Sequence, residues 1–343
     1  MIGKLILEDG TILKGESFGF EKEVAGEIVF STGMVGYPES LTDPSYKGQI
    51  LILTYPLIGN YGVPDKKFWE SDFLKISGLI VSNYIDTPSH FKSKKTLSSW
   101  LKEEKIPALE ISDTRFLAKK IREKGTSLGK IVFKKDIPFY NPDNDNLVSK
   151  VSISNPIIKG KGTKTIAMLD CGAKKNIERC FLKRGIKLII LPWDFDPFEN
   201  NLKFDGLFIS NGPGNPKKID KTIKIIKKAL NKKMPIFGIC LGNQLLALAA
   251  GGDTRKLKYG HRSQNQPCIL QNTNRCFITT QNHGFEVSKI PPGFETWFKN
   301  ANDNSNEGII HKSLPFMSIQ FHPEAAAGPT DTEWLFDHFI EKI

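Results

Sequence analysis

A short glycine-flanked turn constrains the second half of this chain more than any other feature. The pentapeptide Gly238-Ile239-Cys240-Leu241-Gly242 follows the apolar run 235–237 and precedes the helix-forming stretch 244–250. This order predicts a strand, a sharp turn carrying the cysteine, and a helix. Side chains in place of either glycine would clash in so tight a turn, and the positive end of the helix favours a thiolate. The pattern therefore indicates a nucleophile elbow, with a buried structural cysteine as the alternative.

Strand and helix patterns alternate from residue 165 onward. Apolar runs and helical patterns follow one another at 165–169, 174–184, 187–191, 206–210, 218–231 and 235–239. Alternating βαβ units predict a mostly parallel, doubly wound α/β sheet with helices on both faces. In such sheets ligands bind at the carboxyl ends of the strands, where both the elbow and the loop 211–216 fall.

The first part of the chain has a different pattern, with short apolar runs separated by glycine turns and helical patterns at 96–104 and 114–124. It predicts a mixed α/β domain. Between about 141 and 164 apolar periodicity lapses and Asn, Asp, Ser, Gly and Lys dominate. We therefore predict an N-terminal domain at 1–145, a linker at 146–164 and the α/β domain at 165–343, a length that allows two cores.

The net charge of +11 does not predict a nucleic-acid or membrane partner. Lysines are spread along the chain, and their local peak at 217–233 surrounds an apolar stripe that predicts a helix lying on a sheet. A basic helix that binds membranes or acidic partners is the alternative. We find no nucleic-acid motif, membrane span or secretory signal. The five cysteines are odd in number and lack metal-ligand spacing, so we expect a cytoplasmic protein without a metal site.

A second chemical motif follows the apolar run 316–321, which ends in His322-Pro323-Glu324. In an extended segment the side chains of residues i and i+2 point the same way, so His322 and Glu324 can share a face. A cysteine nucleophile needs a base, and that base needs an orienting acceptor; these two residues fit the roles. The alternative is a strand-end turn with a solvated histidine.

The loop 211–216 interleaves two glycines with prolines, so its backbone can approach a substrate closely. We expect the N–H groups of Gly214 and Leu241 to hold the oxygen of a substrate carbonyl as it becomes an oxyanion. A tight turn without such a role is the alternative.

Four motifs with polar or reactive residues occur in a fixed order: Asn-Gly-Pro-Gly-Asn-Pro at 211–216, Gly-Ile-Cys-Leu-Gly-Asn-Gln at 238–244, Gln-Asn-His-Gly-Phe at 281–285 and Phe-His-Pro-Glu-Ala at 321–325. Together they closely resemble the class I (triad) glutamine amidotransferases. The segments 32–46, 54–62 and 113–115 resemble the amino-terminal domain of the small subunit of carbamoyl phosphate synthetase. Relatives that serve anthranilate, GMP or aminodeoxychorismate synthesis lack that domain.

The resemblance implies that Cys240 is the nucleophile, His322 the general acid and base, and Glu324 its orienting partner. It also implies glutamine-binding residues in both domains: Ser45, Gly212, Gly214, Leu241, Gln244, Asn282, Gly284 and Phe285. Two positions depart from the common family pattern: Gln266 stands where many bacterial members carry histidine, and Asn243 stands beside the elbow where a histidine is usual. The change at Asn243 could alter the field around Cys240.

The activity implied by the resemblance is hydrolysis of L-glutamine to glutamate and ammonia. The ammonia would pass to a large subunit that makes carbamoyl phosphate from bicarbonate and ATP, for arginine and pyrimidine biosynthesis. We expect a heterodimer or a higher assembly with that subunit, and ATP and a divalent metal bound there, because this chain has no phosphate-binding loop motif. The alternatives are an amidotransferase subunit of another synthetase, which the first domain disfavours, and a scaffold without glutaminase activity. Family members of the latter kind lack the cysteine.

Overall fold

The computed structural model describes all 343 residues, and they divide into two units, Met1–Asp145 and Asn146–Ile343. The first unit contains seven strands, β1 (Ile2–Leu7), β2 (Ile12–Ser17), β3 (Val24–Ser31), β4 (Gln49–Leu53), β5 (Gly78–Val81), β6 (Ala108–Glu110) and β7 (Ser127–Val132), and three helices, α1 (Tyr37–Thr42), α2 (Leu97–Glu103) and α3 (Thr114–Lys124). The strands close into a barrel in the order β1-β2-β6-β5-β4-β3-β7.

Alternation along the barrel strands explains how this unit packs. Ile28 and Val29 are adjacent in β3 and both fully buried, so one faces each side of the strand. Val29 belongs to a cluster that includes Leu41 of α1 and Trp100 of α2, so these helices cover one side of the sheet. The predicted mixed α/β class of this unit is confirmed.

The second unit contains ten strands and four helices. The strands are β8 (Ile157–Lys159), β9 (Thr165–Asp170), β10 (Lys187–Pro192), β11 (Gly206–Ile209), β12 (Ile236–Ile239), β13 (Asp253–Leu270), β14 (Cys276–Lys289), β15 (Phe294–Asn300), β16 (Asn306–His311) and β17 (Phe316–Ile319). The helices are α4 (Lys175–Lys183), α5 (Asp220–Asn231), α6 (Leu241–Ala249) and α7 (Trp334–Ile340). None of the helices in either unit has the length and apolar character needed to span a bilayer.

All ten strands form one sheet in the order β14-β13-β15-β16-β17-β12-β11-β9-β10-β8. Its centre, from β17 to β10, is parallel, as predicted. Two apolar clusters lie on opposite faces: Leu207 packs in the cluster of α5 and α6, whereas its neighbour Phe208 packs in the cluster of α4 and α7. The doubly wound α/β class is therefore confirmed. The sequence pattern did not predict the antiparallel extension through β13–β16 or the antiparallel edge strand β8.

The predicted linker, 146–164, differs in the structure from a free connection. It belongs to the second unit. Val148 is fully buried in the α5/α6 cluster, the Ile153 amide donates to the Asp170 carboxylate at 2.7 Å, and β8 pairs with β10. Few side chains of this segment are apolar, so its composition does not predict that it packs against the sheet.

Candidate active site

Cys240 occupies the turn between β12 and α6, as the elbow pattern predicts. Its backbone has φ 56° and ψ −102°, a conformation that non-glycine residues rarely adopt. The Cys240 amide donates to the Ile319 carbonyl at 2.8 Å, which ties the turn to β17. The sulfur is 3.7 Å from the Asn282 carbonyl oxygen. The strained residue therefore contacts both β17 and β14, with its side chain buried at the start of a helix.

The flanking glycines are required by close packing of the backbone. A Cβ atom at Gly238 would lie 2.6 Å from the backbone of Gly242, and a Cβ atom at Gly242 would lie 2.2 Å from the Ile209 carbonyl oxygen. Real Cβ atoms do not approach other atoms so closely, so only glycine allows α6 to rise this steeply over β11 and β12.

His322 and Glu324 lie just beyond the end of β17, the strand that neighbours β12. The His322 amide donates to the Thr280 carbonyl at 2.9 Å, which fixes this segment against β14. His322 Nδ1 is 2.7 Å from Glu324 Oε1, and both side chains are almost completely buried. Since Glu324 occupies Nδ1, the ring nitrogen that remains for Cys240 is Nε2, which has no other partner.

Electrostatic coupling shows that the three side chains are neighbours. Burial opposes ionisation of the His322 ring, but the Glu324 carboxylate and the Cys240 sulfur outweigh it and raise the pKa of His322 to about 10. The site therefore favours a protonated imidazole beside the sulfur. The structure thus brings together the three residues predicted to form the triad.

A buried lysine that the sequence motifs did not predict lies next to Glu324 and extends the line of Cys240, His322 and Glu324. Lys174 Nζ is 3.0 Å from Glu324 Oε1 and donates to the Ala325 carbonyl at 2.6 Å. Burial alone would raise the pKa of Glu324, but Lys174 and His322 overcome it and lower the pKa to about 2. Glu324 is therefore ionised at neutral pH and can orient the His322 ring.

Lys174 is itself positioned by Asn211, whose side-chain oxygen accepts from the Lys174 amide at 3.0 Å. Both residues follow strands of the parallel centre, Lys174 after β9 and Asn211 after β11. A polar residue just beyond the carboxyl end of a parallel strand is the signal that could have identified them. Asn211 is the first residue of the motif at 211–216, in which only the two glycines were predicted as site residues.

Several predicted glutamine-binding residues lie around the elbow. Asn282 contributes the carbonyl next to Cys240, and Gln244 Nε2 donates to the Phe285 carbonyl at 3.0 Å. Gly212 approaches Leu241: a Cβ atom at Gly212 would lie 2.9 Å from a Leu241 methyl and 2.0 Å from the Cys171 carbonyl oxygen. The glycine loop therefore packs directly against the first residue of α6.

The remaining predicted residues lie less directly at the elbow. Gly214 has φ +86° and faces Leu147, and Gly284 lies in β14 beside Arg262. Ser45 belongs to the first unit, where it is buried and its amide donates to Asp43 Oδ1 at 2.9 Å. Its contribution to glutamine binding stays a prediction, as do the individual binding roles of the other residues.

Asn243, the departure from the family pattern beside the elbow, is fully buried on α6. Its side-chain oxygen accepts from Ser318 Oγ at 2.8 Å, and its Nδ2 donates to Gln320 Oε1 at 3.1 Å. Ser318 lies in β17 and Gln320 directly follows that strand. The Asn243 amide therefore joins α6 to the strand that leads to His322. Neither of these two partners belongs to the triad.

Comparison with known proteins agrees with this geometry. The family described as "Glutamine amidotransferase class-I" matches residues 167–342. The family described as "Carbamoyl-phosphate synthase small chain, CPSase domain" matches residues 5–131. Both are the families that the sequence motifs resemble, so that resemblance is confirmed.

Similar proteins span nearly the whole chain. Multifunctional protein CAD of Squalus acanthias is 51% identical over 354 residues, with 98% of this chain and 16% of that protein covered. Multifunctional protein URA2 of Saccharomyces cerevisiae is 47% identical over 387 residues, with coverage of 99% and 17%. A mitochondrial carbamoyl-phosphate synthase of Mus musculus, whose name specifies ammonia, is 47% identical over 354 residues, with coverage of 99% and 23%.

This chain therefore spans less than a quarter of the length of these relatives. Within that span, one family covers more than half of its residues and the other covers most of the first unit. The chain belongs to the class-I glutamine amidotransferase family, and ahead of that domain it carries the CPSase domain of carbamoyl-phosphate synthase small chains.

Proposed function

We propose that this chain is the glutamine-hydrolysing part of a carbamoyl-phosphate synthase. The observation that carries the proposal is the buried row of Cys240, His322 and Glu324 at the carboxyl edge of the parallel sheet. The CPSase domain at 5–131 supports this synthase over other acceptors of ammonia.

The first half of the reaction forms a thioester. The Cys240 thiolate attacks the side-chain amide carbon of glutamine, and the carbonyl oxygen becomes an oxyanion near the Gly214 and Leu241 amides. His322, protonated beside the sulfur, gives its proton to the amide nitrogen as the C–N bond breaks. Ammonia leaves, and a γ-glutamyl group remains on the sulfur.

The second half restores the cysteine. His322, now neutral, takes a proton from a water molecule, and the resulting hydroxide attacks the thioester carbonyl. Glutamate leaves as the C–S bond breaks, and the Cys240 thiolate forms again beside the protonated ring. Glu324, held ionised by Lys174, stabilises the imidazolium in both halves.

The ammonia is consumed by a partner that uses bicarbonate and ATP to make carbamoyl phosphate. We propose that ATP and its divalent metal bind that partner, the large-subunit region, either in a heterodimer or in a higher assembly. The similarity to URA2 and CAD supports pyrimidine supply as one use of the product, with arginine supply as another. The free state of all five cysteines supports a cytoplasmic location.

A second candidate is a scaffold without glutaminase activity. It is favoured by one observation, the 47% identity to a synthase named for ammonia. Against it stands the cysteine at position 240, on a strained turn that packing keeps in place.

The experiment that separates these functions assays the complex with the large subunit, with either glutamine or ammonium as nitrogen source. The wild-type protein should make carbamoyl phosphate from both. Cys240→Ser should lose glutamine-dependent synthesis by about a thousandfold or more and keep ammonium-dependent synthesis. Glutamine hydrolysis unchanged by Cys240→Ser would discard the mechanism. A wild-type complex that uses only ammonium would establish the scaffold, and failure to bind the large subunit would point to another synthetase.

A further inference from the structure

A buried cluster of metal-ligating side chains lies in the antiparallel part of the second unit. His261 of β13, His283 of β14 and Glu307 of β16 place one ligand atom each within 4.8 Å of one another. From this cluster we propose a structural binding site for a divalent transition metal ion, with Zn²⁺ as the best fit. The proposal is independent of the proposed glutaminase activity.

Both imidazole rings are oriented as metal ligands usually are. His261 directs Nε2 to the Asp303 carboxylate, at 2.8 Å, and His283 directs Nδ1 to the Phe285 carbonyl oxygen, at 2.9 Å. A histidine that binds a metal typically donates its other N–H to a carboxylate or to a backbone carbonyl. These two partners leave His261 Nδ1 and His283 Nε2 as the nitrogens that face the centre of the cluster.

Gln281 supplies a fourth inward atom. Its Nε2 donates to Cys268 Sγ at 3.3 Å and to Thr279 Oγ1 at 3.2 Å, which turns its Oε1 toward the two histidines. That oxygen is 2.9 Å from His261 Nδ1 and 3.1 Å from His283 Nε2. The cluster thus offers two nitrogens, a carboxylate and an amide oxygen.

The separations of these atoms suit tetrahedral coordination. Glu307 Oε1 is 3.3 Å from His261 Nδ1 and 3.9 Å from His283 Nε2. Bonds of about 2.0–2.1 Å to a tetrahedral Zn²⁺ place neighbouring ligand atoms about 3.3–3.4 Å apart. The four distances from Gln281 Oε1 and Glu307 Oε1 to the two imidazole nitrogens bracket that value, and the ligand atoms of the two histidines lie within 4.8 Å of each other.

The carboxylate of Glu307 also carries a buried oxygen without a partner, next to the oxygen that lies near the two histidines. Glu307 is fully buried, and its Oε2 has no hydrogen-bond partner. Leaving a carboxylate oxygen buried without a partner costs free energy, whereas a cation beside it removes the cost. Two imidazole nitrogens among four donors favour a transition metal over Mg²⁺ or Ca²⁺, which prefer six or more oxygens.

Such an ion would cross-link β13, β14 and β16 beside the candidate active site. Asn282, whose carbonyl contacts the Cys240 sulfur, lies between Gln281 and His283 in β14. With four protein ligands the site is closed, as in structural zinc sites. The cysteine spacing predicts no metal site, and the ligands proposed here come from three separate strands and share no short spacing in the sequence.

The test measures the metal content of the purified full chain, after growth with added Zn²⁺, removal of any affinity tag and dialysis against a chelator. The wild-type protein should retain about one zinc per chain. His261→Asn and Glu307→Gln should each retain at least tenfold less. The matched control is His90→Asn, which changes an exposed histidine of the first unit and should retain the wild-type amount.

A measurement on the wild-type chain covers the case in which these variants fail to fold. With Co²⁺ in place of zinc, the visible spectrum should show four-coordinate geometry, and X-ray absorption should show two imidazoles among nitrogen and oxygen ligands. Wild-type protein that stays metal-free after folding with Zn²⁺, or that binds metal with cysteine ligands or equally well in folded His261→Asn, would overturn the proposal.

Discussion

The parallel and antiparallel halves of the second unit differ in how they hold functional groups. The parallel strands β11 and β12 are four residues long and wholly buried, and the reactive residues follow the ends of this half. The strands β13 and β14 have 18 and 14 residues, and their pairing shifts register at three points. Polar groups there project from inside the strands. The parallel half therefore carries its reactive side chains on the turns that follow its strands. The antiparallel half carries its polar side chains within irregularly paired strands.

The two halves are also stabilised differently. The parallel half depends on close backbone packing around glycines and on one buried ionic row that begins at Lys174. The antiparallel half also buries apolar side chains such as Phe298 and adds partly exposed cross-strand pairs such as Arg255 with Glu286. Substitutions in such pairs should have smaller effects than substitutions at the glycines or the buried ions of the parallel half.

The largest effect is expected for Gly242→Ala. Alanine is a better helix former by about 1 kcal/mol, but its Cβ atom would lie 2.2 Å from the Ile209 carbonyl oxygen. The collision should dominate, with a loss of about 3 kcal/mol in the free energy of unfolding. Urea unfolding measures this loss, and glutamine hydrolysis should fall with it.

The matched control for that collision is Gly251→Ala. Gly251 has φ +93°, but a Cβ atom there would meet nothing closer than 3.9 Å. Only backbone strain remains, worth about 1 kcal/mol. A loss in Gly242→Ala no larger than that in Gly251→Ala would show that the collision with Ile209 is not what requires the glycine of the elbow.

The difference between the parallel and antiparallel halves also explains which elements could be predicted from the sequence. Short buried runs alternate with helices in the parallel half, so β9 to β12, the elbow and the segment around His322 were predicted close to their observed bounds. A strand of 18 residues with mixed burial has no clear period, so β13 was not predicted. Lys174 was missed for another reason: a lysine is ordinarily exposed, and only the carboxylate of Glu324 explains its burial.

An effect of similar size is expected for Lys174→Met, which keeps most of the length of the side chain and removes its charge. Glu324 would stay buried with His322 alone, at a cost of about 3 kcal/mol in the free energy of unfolding. Because Lys174 helps to lower the pKa of Glu324, its loss should raise that pKa and move the acid limb of the glutaminase pH profile to higher pH.

Lys159→Met is a suitable control. Lys159 lies in β8 of the same sheet, and the change removes its partly exposed salt bridge with Glu178 of α4. That change should lower stability by less than about 1 kcal/mol and leave the pH profile in place. An unchanged profile in Lys174→Met would contradict the role of the lysine in keeping Glu324 ionised.

Another effect is expected from pH. The folded protein holds the pKa of His322 at about 10, above the ordinary value of 6.5. Protonation of His322 therefore stabilises the fold fully below pH 6.5, and this contribution is lost as the pH rises through 10. Glu324 adds no change in this range, because its pKa of about 2 affects stability only below about pH 4.5.

The measurement compares urea unfolding at pH 7 and pH 9.5 for the wild-type protein and for His322→Gln. The wild-type protein should lose more stability between these two pH values than the variant, since only the former has the coupled ring. The same loss in both proteins would show that other groups titrate and that the ring is not held charged.

The smallest effect is expected for Arg255→Ala in the antiparallel half. Arg255 Nε donates to Glu286 Oε1 at 2.7 Å across β13 and β14, but its own side chain is largely exposed. Glu286 also accepts from the Asn306 amide at 3.3 Å, so it keeps a partner when the arginine is removed. A half-exposed pair of this kind contributes about 0.5 kcal/mol, and salt should reduce that further. A double-mutant cycle with Glu286→Gln measures the coupling; a value near 3 kcal/mol would mean that single ionic pairs support both halves equally.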